Sequence, residues 1–109
     1  MNWIALESED ELAKLTEQSK HQPVVIFKHS TRCSISAMAK NRLERSAPDE
    51  NIVFYYLDLI KFRNLSNKVA EDFHVFHESP QVLLIRNGEC IYEESHNGIN
   101  MEDINDFRK

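Results

Sequence analysis

Apolar positions along the chain change their period several times, and each change marks an element. Ser8-Glu9-Asp10-Glu11 has the spacing of a capping box: the Ser8 hydroxyl can accept from the Glu11 backbone while the Glu11 carboxylate reaches back. Leu12 and Leu15 form a short stripe, and His21-Gln22-Pro23 ends that helix. Val24-Val25-Ile26-Phe27 is apolar throughout, as in a central parallel strand covered on both faces. Ile35, Met38, Ala39 and Leu43 then predict a helix from just after Cys33 to about Ser46, stopped by Ala47-Pro48-Asp49. Ile52 to Leu59 is rich in strand formers, and Leu65, Val69 and Phe73 recur every four residues as a helix face. Beyond Pro80, Val82 to Ile85 predicts a strand, Arg86-Asn87-Gly88-Glu89 a hairpin turn and Cys90 to Glu94 the returning strand. Asn100 can cap a last helix with Met101, Ile104 and Phe107 on its apolar face. Parallel βαβ, an antiparallel hairpin and a closing helix make an α/β sandwich around a central mixed four-stranded sheet.

Length and charge narrow the picture. A chain of 109 residues is read as one domain, 1–109, large enough to bury a core without disulfides or metals. Its formal net charge of −5 argues against general nucleic-acid binding, which wants a basic surface. The longest apolar run, Ile52 to Leu57, is far short of the ~18 residues of a membrane span. Met1-Asn2-Trp3-Ile4 lacks the basic start and apolar core of a signal peptide, so a cytoplasmic location is expected. Two cysteines are too few for a disulfide framework.

The stretch that carries chemistry is Phe27-Lys28-His29-Ser30-Thr31-Arg32-Cys33-Ser34-Ile35-Ser36. Cys33 sits where a strand hands over to a helix. There it faces free backbone N–H groups and the positive end of the helix dipole, which favour the reactive thiolate. Its polar neighbours suit an accessible thiol better than a core cysteine. Lys28 and Arg32 are read as a local basic patch on an acidic protein. Ser36 stands where a C-x-x-C motif would place its second cysteine, so the chain carries C-x-x-S. A serine hydroxyl cannot attack a mixed disulfide, although Ser36 can donate a hydrogen bond to the Cys33 sulfur.

This order of elements, with a cysteine after the first central strand, resembles the thioredoxin superfamily over nearly the whole chain. The run from Val69 to Pro80 is similar to the passage that ends in that superfamily's cis-proline, and Gln81 to Ile85 with Asn87-Gly88 match the following strand and turn. Within the superfamily, Thr31-Arg32-Cys33-Ser34-Ile35-Ser36 most resembles the monothiol bacilliredoxins of the YtxJ/BrxC group, whose pattern is T-C-P-I-S. Ser34 replaces the proline, which leaves the first helical turn less preorganised and the thiol's position intact. The resemblance implies a monothiol cycle. Cys33 attacks the bacillithiol side of a protein–bacillithiol disulfide and becomes bacillithiolated, and another thiol resets it. It implies S-bacillithiolated client proteins and bacillithiol, or a bacillithiol-disulfide reductase system, as partners. Lys28 and Arg32 are then candidates to hold the carboxylates of bacillithiol's malate part. Ser79, before a cis-Pro80, would pair with an extended client. A monomer is expected.

Topology removes Cys90 as a resolving thiol. The strand after Pro80 runs away from the site, so Cys90 returns level with Ile85, about 16 Å off at ~3.3 Å per residue. A disulfide needs Cα atoms within ~7 Å. His74 and His77 lack a second ligand pair at metal spacing, so no metal is expected. Trp3, Phe54, Tyr55 and Tyr56 are read as core residues. Two rival readings remain: an iron–sulfur cluster carrier of the monothiol glutaredoxin kind, whose C-G-F-S motif differs here at Ser34-Ile35, and a non-catalytic thioredoxin-like redox sensor.

Overall fold

A computed structural model describes residues 1–107. The elements are β1 (Trp3–Ala5), α1 (Glu9–Gln18), β2 (Val24–His29), α2 (Ser34–Glu44), β3 (Val53–Asp58), α3 (Arg63–Asp72), β4 (Gln81–Arg86), β5 (Glu89–Ser95) and α4 (Met101–Phe107), with a 3₁₀ turn at His96–Gly98 before α4. They form one mixed sheet in the order β1-β3-β2-β4-β5. β1, β3 and β2 run parallel, whereas β4 and β5 are antiparallel to their neighbours.

The sheet has five strands rather than the expected four. The added strand pairs Trp3 with Phe54, Ile4 with Tyr55 and Ala5 with Tyr56. Three residues are too short to show a period-two pattern, and Ile4 on this edge faces solvent. Pairing with β3 and the packing of the Trp3 ring on Phe27 and Phe54 hold the segment in place.

Strand alternation splits the core into two layers. Val24 and Ile26 of β2, with Leu83 and Ile85 of β4, meet Leu12 and Leu15 of α1 and Leu65 and Val69 of α3. Val25, Phe27, Val82 and Leu84 meet Ala39 and Leu43 of α2 and Met101 and Ile104 of α4. β2, with its apolar run Val24–Phe27, is therefore central and covered on both sides, as that run required. α2 is rotated relative to its apolar pattern. It buries Ser36, Ala39 and Leu43, while Ile35 and Met38 are exposed. The polar Ser36 belongs to the buried face, and this misphased the sequence reading.

Local chemistry sets the element ends. Ser8 Oγ accepts from the Glu11 N–H at 3.2 Å, and the Glu11 carboxylate takes the Ser8 hydroxyl and the Glu7 N–H. Asn87 and Gly88 both have positive φ, the geometry of a two-residue hairpin turn. Asn100 Oδ1 accepts from the Asp103 N–H at 2.9 Å and caps α4. Just past the C-cap of α3, His74 takes the left-handed region (φ 56°), and Val75 N–H returns to the Ala70 carbonyl.

Candidate active site around Cys33

β2 ends at His29, and a turn closed by Cys33 N–H on the Ser30 carbonyl (3.2 Å) leads into α2. Cys33 is the N-cap of α2, with extended backbone (φ −111°, ψ 122°), and its carbonyl accepts from Ala37 N–H. Half-buried Cys33 thus stands at the end of the helix where the first-turn N–H groups have no helical partner, and its side chain makes no capping hydrogen bond. Arg32 and Ser34 on either side are exposed.

Ser36 is fully buried and turned inward. Its Oγ lies 2.6 Å from His29 Nδ1 and accepts from Ser30 N–H at 3.1 Å. These bonds tie the first turn of α2 to the end of β2 and fix the loop that carries Cys33. The hydroxyl's partners are therefore His29 and Ser30, not the sulfur. His29 is itself buried, stacked on Phe27 and against Tyr56. Burial pushes its pKa down, and the Lys40 charge adds to this against the pull of Asp58 and Glu44. The Ser36 hydroxyl and His29 Nδ1 share one hydrogen bond, which the neutral ring makes as acceptor or as donor according to its tautomer.

Lys28 does not lie with Arg32 in a surface patch. It points to the other face of β2, fully buried, and its Nζ donates to the Ser66 carbonyl of α3 at 3.1 Å and meets His77 Nδ1 at 3.2 Å. The reason is strand parity: Lys28 follows Val24 and Ile26 toward α1 and α3, and Phe27 and His29 point toward α2. Burial pushes the Lys28 ammonium down to about 8. Of the expected cationic pair, Arg32 alone is displayed beside the thiol.

The Ser79–Pro80 bond is cis. Gln81, the first residue of β4, pairs with Lys28 of β2, so Pro80 stands one step beyond, at the end of the sheet from which the Cys33 turn leaves. Pro80 is buried and its carbonyl accepts from His96 N–H, whereas Ser79 is half-buried. Cys90 pairs with Ile85, and Ile85 with Val24, at the opposite end of β2. Its Sγ donates to the Tyr92 carbonyl, and burial pushes the thiol up to about 11. Trp3, Phe54 and Tyr56 pack in the α2 layer and Tyr55 in the α1 layer. The sequence pattern does not show that His29, His77 and Gln81 bond to the segments around the site. Gln81, a long polar side chain at the first position of a buried strand, was the available signal.

A strand–turn–helix carrying one thiol, with a cis-proline at the same end of the sheet, defines a thioredoxin-fold protein of the one-thiol type. Comparison with solved structures agrees on the fold. A thioredoxin-fold protein described as a candidate oxidoreductase is 32% identical with a TM-score of 0.86, covering 98% of this chain and 94% of that one. Thioredoxin from Trypanosoma brucei brucei (13% identity, TM-score 0.78, 96% and 89% covered) shares the fold. So does a mutant thioredoxin from Halobacterium salinarum (15%, 0.75, 99% and 92%). The family model of the monothiol bacilliredoxin BrxC matches residues 4–104, and the chain belongs to that family. Among the described residues no helix is long and apolar enough to cross a membrane.

Proposed function

We propose that the protein removes bacillithiol from S-bacillithiolated client proteins in the cytoplasm, acting as a monomer with Cys33 as its nucleophile. One observation carries this reading: the half-buried Cys33 is the N-cap residue of α2, while the position of a second thiol is held by Ser36, locked onto His29 and Ser30. The Cys33 thiolate attacks the bacillithiol-side sulfur of the mixed disulfide. A Cys33–bacillithiol disulfide forms, the original S–S bond breaks, and the client leaves as thiolate. A second bacillithiol thiolate then attacks the adduct on its bacillithiol side, forms bacillithiol disulfide and restores the Cys33 thiolate. A reductase of that disulfide would close the cycle. In this reading Arg32 attracts the malate carboxylates and the Ser79 backbone receives the client chain. The test is release of free client thiol from a bacillithiolated protein in excess bacillithiol. Many client equivalents are turned over by the wild type and none by Cys33→Ser. A single equivalent released without turnover would identify a sensor instead.

A further inference from the structure

His29, on one face of β2, holds the turn that carries Cys33. Lys28, on the other face, holds the segment that ends at Pro80. Gln81, its partner in register and also fully buried, donates from Nε2 to the Phe76 carbonyl and the Glu93 carboxylate, both at 3.0 Å. Its Oε1 takes the Glu78 N–H at 3.4 Å. Lys28 takes His77 between them. Phe76, His77 and Glu78 are thus gripped from below, directly ahead of Ser79, and the Phe76 ring is left 92% exposed. No acidic side chain pairs with Lys28 among the described residues, and burial alone accounts for its depressed pKa. An apolar side chain of similar volume would fill the same space without desolvating a charge. Packing therefore does not require a lysine here, whereas the hydrogen bond to His77 does.

We infer that Lys28 and His77 are positioning residues for the client protein: their hydrogen bond sets segment 76–79, and with it the affinity for protein disulfides, leaving the sulfur chemistry at Cys33 untouched. This rests on the proposed reading of the site. A client chain lies along these residues, which span roughly 13 Å when extended, whereas a small alkylating reagent meets only the sulfur.

The bond also constrains charge. Nδ1 accepts only in the neutral tautomer with its proton on Nε2. A protonated His77 has no lone pair there and meets the Lys28 ammonium as a like charge. The groups that face His77 are Lys28 on β2, Ser66 and Arg63 on α3, and the adjoining Glu78. Burial, Lys28 and Arg63 hold its pKa below the ordinary histidine value, against Glu78. Acidification below that range releases the segment.

The test combines two variants with two readouts. Lys28→Met raises the KM for a bacillithiolated client about tenfold, with kcat and the rate of Cys33 alkylation by iodoacetamide unchanged. His77→Asn keeps an acceptor where Nδ1 stood and carries no proton. It retains the wild-type KM at neutral pH and abolishes the acid-side rise in KM. Amide hydrogen exchange of residues 75–79, which needs no client, is faster in Lys28→Met than in wild type. A client KM within twofold of wild type in Lys28→Met, or a wild-type acid limb in His77→Asn, overturns the inference. If the wild type turns over no client, the proposed function fails. Exchange then decides the grip alone, and unchanged exchange in Lys28→Met overturns it.

Discussion

Ser36→Ala separates two roles for the C-x-x-S serine. If the hydroxyl served the sulfur, its loss would slow Cys33 and leave stability alone. In the structure it is fully buried and bonded to His29 Nδ1 at 2.6 Å and to Ser30 N–H at 3.1 Å. Alanine removes both partners while opening almost no cavity. A buried polar group left unpaired costs about 1–3 kcal/mol, and Ser30, half-buried, regains some water. The sum is a loss of about 2–4 kcal/mol, against roughly 5–15 for a whole small domain. At ~4–8 °C per kcal/mol the melting temperature falls by roughly 8–30 °C. Urea unfolding followed by the fluorescence of Trp3, packed on Phe27 and Phe54, measures this directly. Cys33 alkylation should stay within about threefold of wild type while the protein is folded. A stability loss under about 0.5 kcal/mol together with a tenfold slower Cys33 would refute the anchoring role.

The two depressed histidines give stability a sign with pH. The unfolded chain protonates His29 and His77 first, so stability present above about pH 6.5 is lost as pH falls through their lowered folded values. The urea midpoint should drop between about pH 7.5 and about pH 5.5, and a flat midpoint contradicts this. Lys28 acts with the same sign at higher pH: its ammonium sits at about 8 in the fold against 10.5 when free, so wild-type stability also rises with pH across that interval. Lys28→Met removes the desolvated charge, worth about 3 kcal/mol, less about 1–2 for lost hydrogen bonds. It should stabilise by about 1–2 kcal/mol and flatten that rise, and destabilisation would show the burial is compensated. Cys90→Ala should leave client turnover unchanged. With its thiol at about 11, Cys90 should escape iodoacetamide near pH 8 while Cys33 is labelled; equal labelling contradicts the burial argument.

Residues with a strong local signal showed their places in sequence. The all-apolar Val24–Phe27 run, the Asn87-Gly88 turn, the Ser8 and Asn100 caps and the position of Cys90 opposite Ile85 all emerged as read. The cis bond at Pro80, legible only through a family resemblance, is also present. What the sequence hid depended on which face a polar residue takes. Lys28 and His29 are adjacent and both polar, so they looked like one surface cluster, yet strand parity sends them into opposite layers. Ser36 looked like a companion of Cys33, but helical geometry turns it under the strand end, and Ile35 and Met38 come out into solvent as a result. β1 was invisible because three residues carry too little pattern.

The central claim is that Cys33 works without a second thiol. Intact-protein and peptide mass spectrometry after mixing with a bacillithiolated client, in the absence of added thiol, tests it most directly. The predicted result is one bacillithiol adduct on Cys33, an equivalent of client released as free thiol, and Cys90 unmodified. An unmodified Cys33 beside a client that stays bacillithiolated, or a Cys33–Cys90 disulfide in place of the adduct, would contradict it.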